Sequence, residues 1–200
     1  MKYTQLVGVA LGALAVSQAH AAITFSNITF NAPPLSTGAA YTTAGNSISF
    51  TTPNAIVGDV SPTRAGSLTI TYIADSGVLM NAVNAFVSVG APTLGTGTVA
   101  FLETVYAYDL GTMMVGASLG TISHSFNSTS DPNFTGTISL SAPTRAIYVV
   151  KRFDMNAPDS PDLDLAAIAI VNQSISTVPE PTSIAALGLG LAFVLRRRRA

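Results

Sequence analysis

Ser67-Leu68-Thr69-Ile70-Thr71-Tyr72-Ile73-Ala74 is the stretch that decides the fold. Leu68, Ile70 and Tyr72 occupy every second position and Thr69 and Thr71 lie between them. A period of two places the apolar set on one face of a strand and the threonines on the other. The stretch reads as a half-buried β-strand, as found in a sheet with one face on a core and one in water.

The same pattern recurs on both sides of it. Short bursts of β-branched and aromatic residues mark further strands at 23–30, 47–51, 83–89, 99–110, 119–126, 136–140, 146–153 and 164–176. Between them stand turn formers: Pro33-Pro34, Asp75-Ser76-Gly77, Gly95-Thr96-Gly97, Asp131-Pro132-Asn133 and Pro158-Asp159-Ser160-Pro161. Residues 99–110 are apolar on both alternating faces, which suits a central strand and would also fit a buried helix; we read a strand. Residues 165–171 are alanine-rich but short, and end at Asn172, so they too are read as extended. Nine strands without a long amphipathic helix predict an all-β fold, an antiparallel β-sandwich of jelly-roll-like kind, over 22–177.

Charge narrows the partners. The whole chain has a formal net charge of −1, but Lys2 and the four arginines at 196–199 sit in terminal segments with a separate role. The body keeps only Arg64, Arg145, Lys151 and Arg152 against nine acids, a net charge of minus five. Nucleic acid, which requires clustered Lys and Arg to displace phosphate counterions, is excluded as a partner. Cysteine is absent, so no disulfide supports the fold. About 155 residues are enough to bury a core without one.

Residues that carry chemistry are few. Outside the N-terminal segment the one histidine is His124, on the same strand face as Ile122 and Phe126, a position that suits packing better than catalysis. Glycoside hydrolysis ordinarily uses two carboxylates roughly 5 to 9.5 Å apart. Glu103 and Asp109, six residues apart on one strand, would be separated by about 20 Å. The chain is therefore not expected to be an enzyme. The one acidic cluster, Asp154, Asp159, Asp162 and Asp164, has a spacing that permits a calcium site, since calcium takes six to eight oxygen ligands. It lacks the register, loop glycine and terminal glutamate of an EF-hand. Tryptophan is absent, and Tyr106 and Tyr108, on one strand face, are the candidates for stacking on a sugar ring.

Both ends read as addresses. Met1-Lys2 is a short basic start, 6–16 an apolar run too short to span a bilayer, and Ala19-His20-Ala21 a small-x-small cleavage site, so 1–21 is expected to be a signal helix removed by signal peptidase. At the other end, 178–200, come Val178-Pro179-Glu180-Pro181-Thr182-Ser183, twelve apolar residues at 184–195, then Arg196, Arg197, Arg198 and Arg199. Twelve residues of helix reach about 18 Å, short of the roughly 30 Å hydrocarbon core. The arginines supply a stop that keeps the extreme end in the cytoplasm. This order of Pro-Glu-Pro triplet, short transmembrane helix and basic end resembles the PEP-CTERM sorting signal of Gram-negative bacteria. The resemblance implies an exported protein held briefly in the inner membrane until an exosortase cleaves near Pro179, Glu180 and Pro181. The released body is then expected at the cell surface or in the extracellular matrix, as a structural or adhesive component. The alternative is a calcium-assisted module for extracellular polysaccharide.

Overall fold

The computed structural model describes residues 22–88, 93–159 and 162–178. Along the chain run β1 (Thr24–Asn31), β2 (Ala40–Ala44), β3 (Ser47–Thr51), β4 (Ile56–Gly58), β5 (Ala65–Ser88), β6 (Thr98–Asp109), β7 (Met114–Asn127), β8 (Asn133–Asn156), β9 (Leu165–Ala167) and β10 (Ile170–Thr177). The described residues contain no helix, and every pairing is antiparallel. The expected signal helix at 1–21 and tail helix at 184–195 lie outside the described residues.

Two strands are longer than the alternation predicts. The 67–74 and 83–89 segments are one strand of 24 residues, β5, and the 136–140 and 146–153 segments are one strand of the same length, β8. Asp75-Ser76-Gly77, read as a turn, is instead a bulge inside β5. Gly77 takes a φ of +66° and donates its N–H to the Asp75 carboxylate at 3.0 Å, while the β5–β8 register shifts between Asp75, Met80 and Ala82. A bulge bends a strand without ending it, and the same residues that make turns make bulges. Residues 164–176 divide the other way, into β9, which pairs with β4, and β10, which joins the main sheet. β2 escapes the pattern because all five of its residues are exposed.

The bends in β5 and β8 fold one sheet over on itself. One half holds β1, 65–75 of β5, 146–156 of β8, β6 and β7; the other holds β2, β3, β10, 80–88 of β5 and 133–139 of β8. The two halves meet face to face. Phe101 on β6 lies 6.0 Å from Phe134 on the opposite half of β8, and Phe50 on β3 lies 5.6 Å from Tyr72 on the first half of β5. Leu68, Ile70 and Tyr72, the alternating set, are all fully buried between them.

One polar group crosses this interior. Glu103 on β6 and Lys151 on β8 form an ion pair at 2.5 Å with neither side chain exposed, and Gln173 on β10 donates its amide to Glu103 from the other half. Desolvation lowers the Lys151 pKa, against the opposing attraction of Glu103. A pair sealed in this way contributes little net stability, but either partner alone would be an uncompensated buried charge.

Candidate functional site

The outer face of the second half is built by register. Thr42, Ser49, Asn172, Phe86 and Thr135 stand opposite one another on five successive strands, and Ala44, Ser47, Ser174, Asn84 and Thr137 form the next row. Alternation sends their neighbours Phe50, Val171 and Val87 into the core, so these ten side chains have only the outside to face. Cross-strand hydrogen bonds hold them. Ser49 donates to the Asn172 side-chain oxygen at 2.5 Å, Thr137 donates to the Asn84 side-chain oxygen at 2.8 Å, and the Asn84 amide donates to Ser176 at 3.3 Å and to Ser174 at 3.5 Å.

The result is a shallow groove of about 420 Å³ lined by Thr42, Ser49, Asn84, Phe86, Asn172 and Ser174 among others. Its strand segments contain no Asp, Glu, His, Lys or Arg. Hydroxyls and amides offer both donors and acceptors, and the half-buried Phe86 supplies one apolar ring among them. Such a surface can bind a neutral polyhydroxylated chain; it has nothing with which to neutralise a phosphate or a metal ion. The sequence alone does not mark Ser49, Asn84, Phe86 and Asn172 as a group. Their signal there is only Asn84 and Ser88 on either side of Phe86 and Asn172, Ser174 and Ser176 at alternate positions, and what makes them a group is pairing between distant strands.

Tyr106 and Tyr108 lie on the other outer face, half-buried, each with its ring centroid 6.4 Å from that of Tyr148 on β8. The structure thus brings the two predicted tyrosines together and adds a third.

The four aspartates are held by different partners. Asp154 on β8 accepts from Ser67 and from Arg152. Asp159 accepts from Arg64 at 2.9 Å. Asp164, buried, accepts from the Thr96 backbone at 2.5 Å and its hydroxyl at 2.8 Å. Asp162 lies in the connection before β9. Among the described residues no three Asp, Glu, His or Cys side chains gather as a metal would require. Asp59 completes this end of the molecule: the Asp164 backbone N–H, and then Arg64, hold its carboxyl below the ordinary 3.8. Glu103, sealed against Lys151 and Gln173, opens to no cleft. His124 is stacked on Phe134 at 4.4 Å and meets the edge of Phe126 at 4.6 Å, a packed ring.

The body ends where the tail begins. Thr177 pairs with Met80, and the Val178 N–H donates to the Leu79 carbonyl at 2.8 Å. Pro179, Glu180, Pro181 and Arg196 to Arg199 lie outside the described residues. An antiparallel all-β body thus passes directly into a sorting segment, for residues 177–199 match the PEP-CTERM protein-sorting motif. The chain thus carries a PEP-CTERM sorting motif that begins at the end of its last strand. No curated protein matches it. Among solved structures it is similar to TmCBM61 in complex with β-1,4-galactotriose, at 8% identity over 78% of this chain and 87% of that one, with a TM-score of 0.34. It is also similar to a structure of carbohydrate-binding modules from the β-sandwich superfamily, at 11% identity over 80% and 58%, TM-score 0.37. A third is the family 11 carbohydrate-binding module of Clostridium thermocellum with a mixed-linked tetrasaccharide, at 7% over 78% and 86%, TM-score 0.28. At these scores and identities no ligand is carried across to this chain.

Proposed function

We propose that this chain is an exported, exosortase-processed protein of the cell surface or extracellular matrix, structural or adhesive in role, whose neutral outer face holds an uncharged polysaccharide. Signal peptidase removes 1–21, the tail at 178–200 pauses the chain in the inner membrane, and cleavage near the Pro-Glu-Pro triplet releases the body. The observation that supports the binding role is the five-strand face of hydroxyls and amides around Phe86, with no ionic side chain in β2, β3, β10, 80–88 of β5 or 133–139 of β8. A body of net charge minus five would repel an anionic polymer, which favours a neutral one.

The test is affinity electrophoresis or calorimetry of the released body against neutral and acidic polysaccharides from the producing cells. Phe86→Ala is expected to weaken binding to the neutral polymer by about 1 kcal/mol, roughly fivefold, as loss of a ring contact does. Tyr106→Ala is the control on the opposite face. If Tyr106→Ala weakens binding and Phe86→Ala does not, the tyrosine strip is the site and the groove is not.

A further inference from the structure

Both ends of the body emerge on the same side. Thr24, at the start of β1, pairs with Asp75, and Asp75 pairs with Ala146. Thr177, at the end of β10, pairs with Met80, which pairs with Thr144. The two termini therefore flank the bends of β5 and β8, at the folded edge of the sheet. The hairpin joining β6 to β7 projects from this edge too, because Ala107 pairs with Ile147 and the turn continues beyond it to Asp109 opposite Met114.

That hairpin tip is apolar and uncovered. Leu110, Met113, Met114 and Val115 are 48%, 79%, 65% and 46% exposed, and Leu79, beside the exit of the chain, is 44% exposed. Five of the ten exposed large hydrophobic side chains among the described residues lie at this one edge, four of them in the β6–β7 hairpin. No charged residue occurs in 110–123. The nearby carboxylates are turned onto backbone: Asp109 accepts from Gly111 at 2.8 Å and from Thr112 at 3.4 Å, and Asp75 accepts from Gly77. Arg145 is the exposed cation there. The opposite end instead carries the Asp59, Arg64 and Asp159 ion pairs.

We infer that the β6–β7 tip is a membrane contact: while the tail is in place, Leu110, Met113, Met114 and Val115 rest in the outer leaflet of the inner membrane. This rests on the sorting reading above. The length of chain beyond the body supports lipid as the occupant. Val178 is hydrogen-bonded to β5 and the apolar run begins at Ile184, so five residues separate the last body contact from the membrane segment. Fully extended they span about 17 Å, which holds the folded edge at the lipid surface. The tip and the tail exit then form two contacts, which fix the orientation of the body and present the Pro-Glu-Pro triplet at a set depth to the processing enzyme.

The chain lacks cysteine, so a single one can be placed at will. In the full-length precursor, made in cells without exosortase and studied in inner-membrane vesicles, Met114→Cys at the tip is compared with Ser128→Cys in the β7–β8 turn at the far end. Both positions are exposed, so the core is untouched. Met114→Cys is expected to lose most of its reaction with a membrane-impermeant maleimide and to regain it in detergent, whereas Ser128→Cys reacts equally in both. An environment-sensitive fluorophore at position 114 is expected to be quenched by spin-labelled phospholipid. Equal labelling at the two positions in a membrane-bound precursor overturns the contact and leaves the sorting reading standing. Protection without quenching by lipid overturns it in favour of a protein cover, the tail or a second copy. A precursor recovered in the soluble fraction overturns the sorting reading and the contact with it.

Discussion

Tyr72 holds both ends of the residue-level argument: its ring is part of the alternating set that predicts the fold, and its hydroxyl is the costly part. The hydroxyl is fully buried and has no hydrogen-bond partner among the described residues. Burial, and after it the charge of Glu103, push its pKa well above the ordinary 10.0. Tyr72→Phe keeps the ring and is expected to stabilise the fold by about 1 kcal/mol, read from denaturant melts, since an unsatisfied buried donor is a net loss. The folded state retains the Tyr72 proton above pH 10 while the unfolded chain releases it, so this group lowers stability as pH rises past 10. The advantage of Tyr72→Phe should therefore widen in that range. Lys151→Met, which strands Glu103, is expected to cost about 3 to 5 kcal/mol, and adding Glu103→Leu should restore most of it. If the double variant is no better than the single, the pair is not the unit described here.

Among the elements, those with alternating apolar residues were legible from the sequence, and their ends were not. Leu68, Ile70 and Tyr72 identify β5 because each is buried on one face; β2 gives no such sign because its Ala40–Ala44 backbone lies at an edge with both faces open. Gly77 reads equally as turn or bulge, and only the partner strand, continuing past it, decides between them. The groove was illegible for a related reason. Ser, Thr and Asn carry no signature of their own, and Asn84, Phe86 and Asn172 become neighbours only through the β5–β10 register. Glycine can be read more directly where a strand end has no room. A Cβ at Gly97 would run into the Leu165 carbonyl, so Gly97→Ala is expected to destabilise by about 1 to 3 kcal/mol in thermal or denaturant melts. Beside it, the Asp59 carboxyl is held below 3.8 in the folded state. Its contribution is present above that pH and is lost as pH falls through the lower folded value, so Asp59→Asn should flatten the acid limb of the stability profile. Because Arg64, Thr96, Ser67 and Arg152 already engage the aspartates of the acidic cluster, a chelator is expected to leave the melting transition of the body unchanged.

The described body is an eight-stranded sheet folded over, with the small β4–β9 sheet beside it, its two ends on the folded edge and its neutral groove on one outer face. That arrangement suits delivery. On the proposed route, a body attached at one edge would leave its broad faces free, and because the motif begins at the last residue of β10, its release would need a cut within a few residues of that strand. Where the mature chain ends therefore decides whether the body is released in this way. Intact-mass spectrometry of the released protein, from cells with and without exosortase, measures that directly. The expected product begins near Ala22 and ends near Pro179 to Pro181 only when the enzyme is present; a released product that still carries Arg196 to Arg199 would contradict the account.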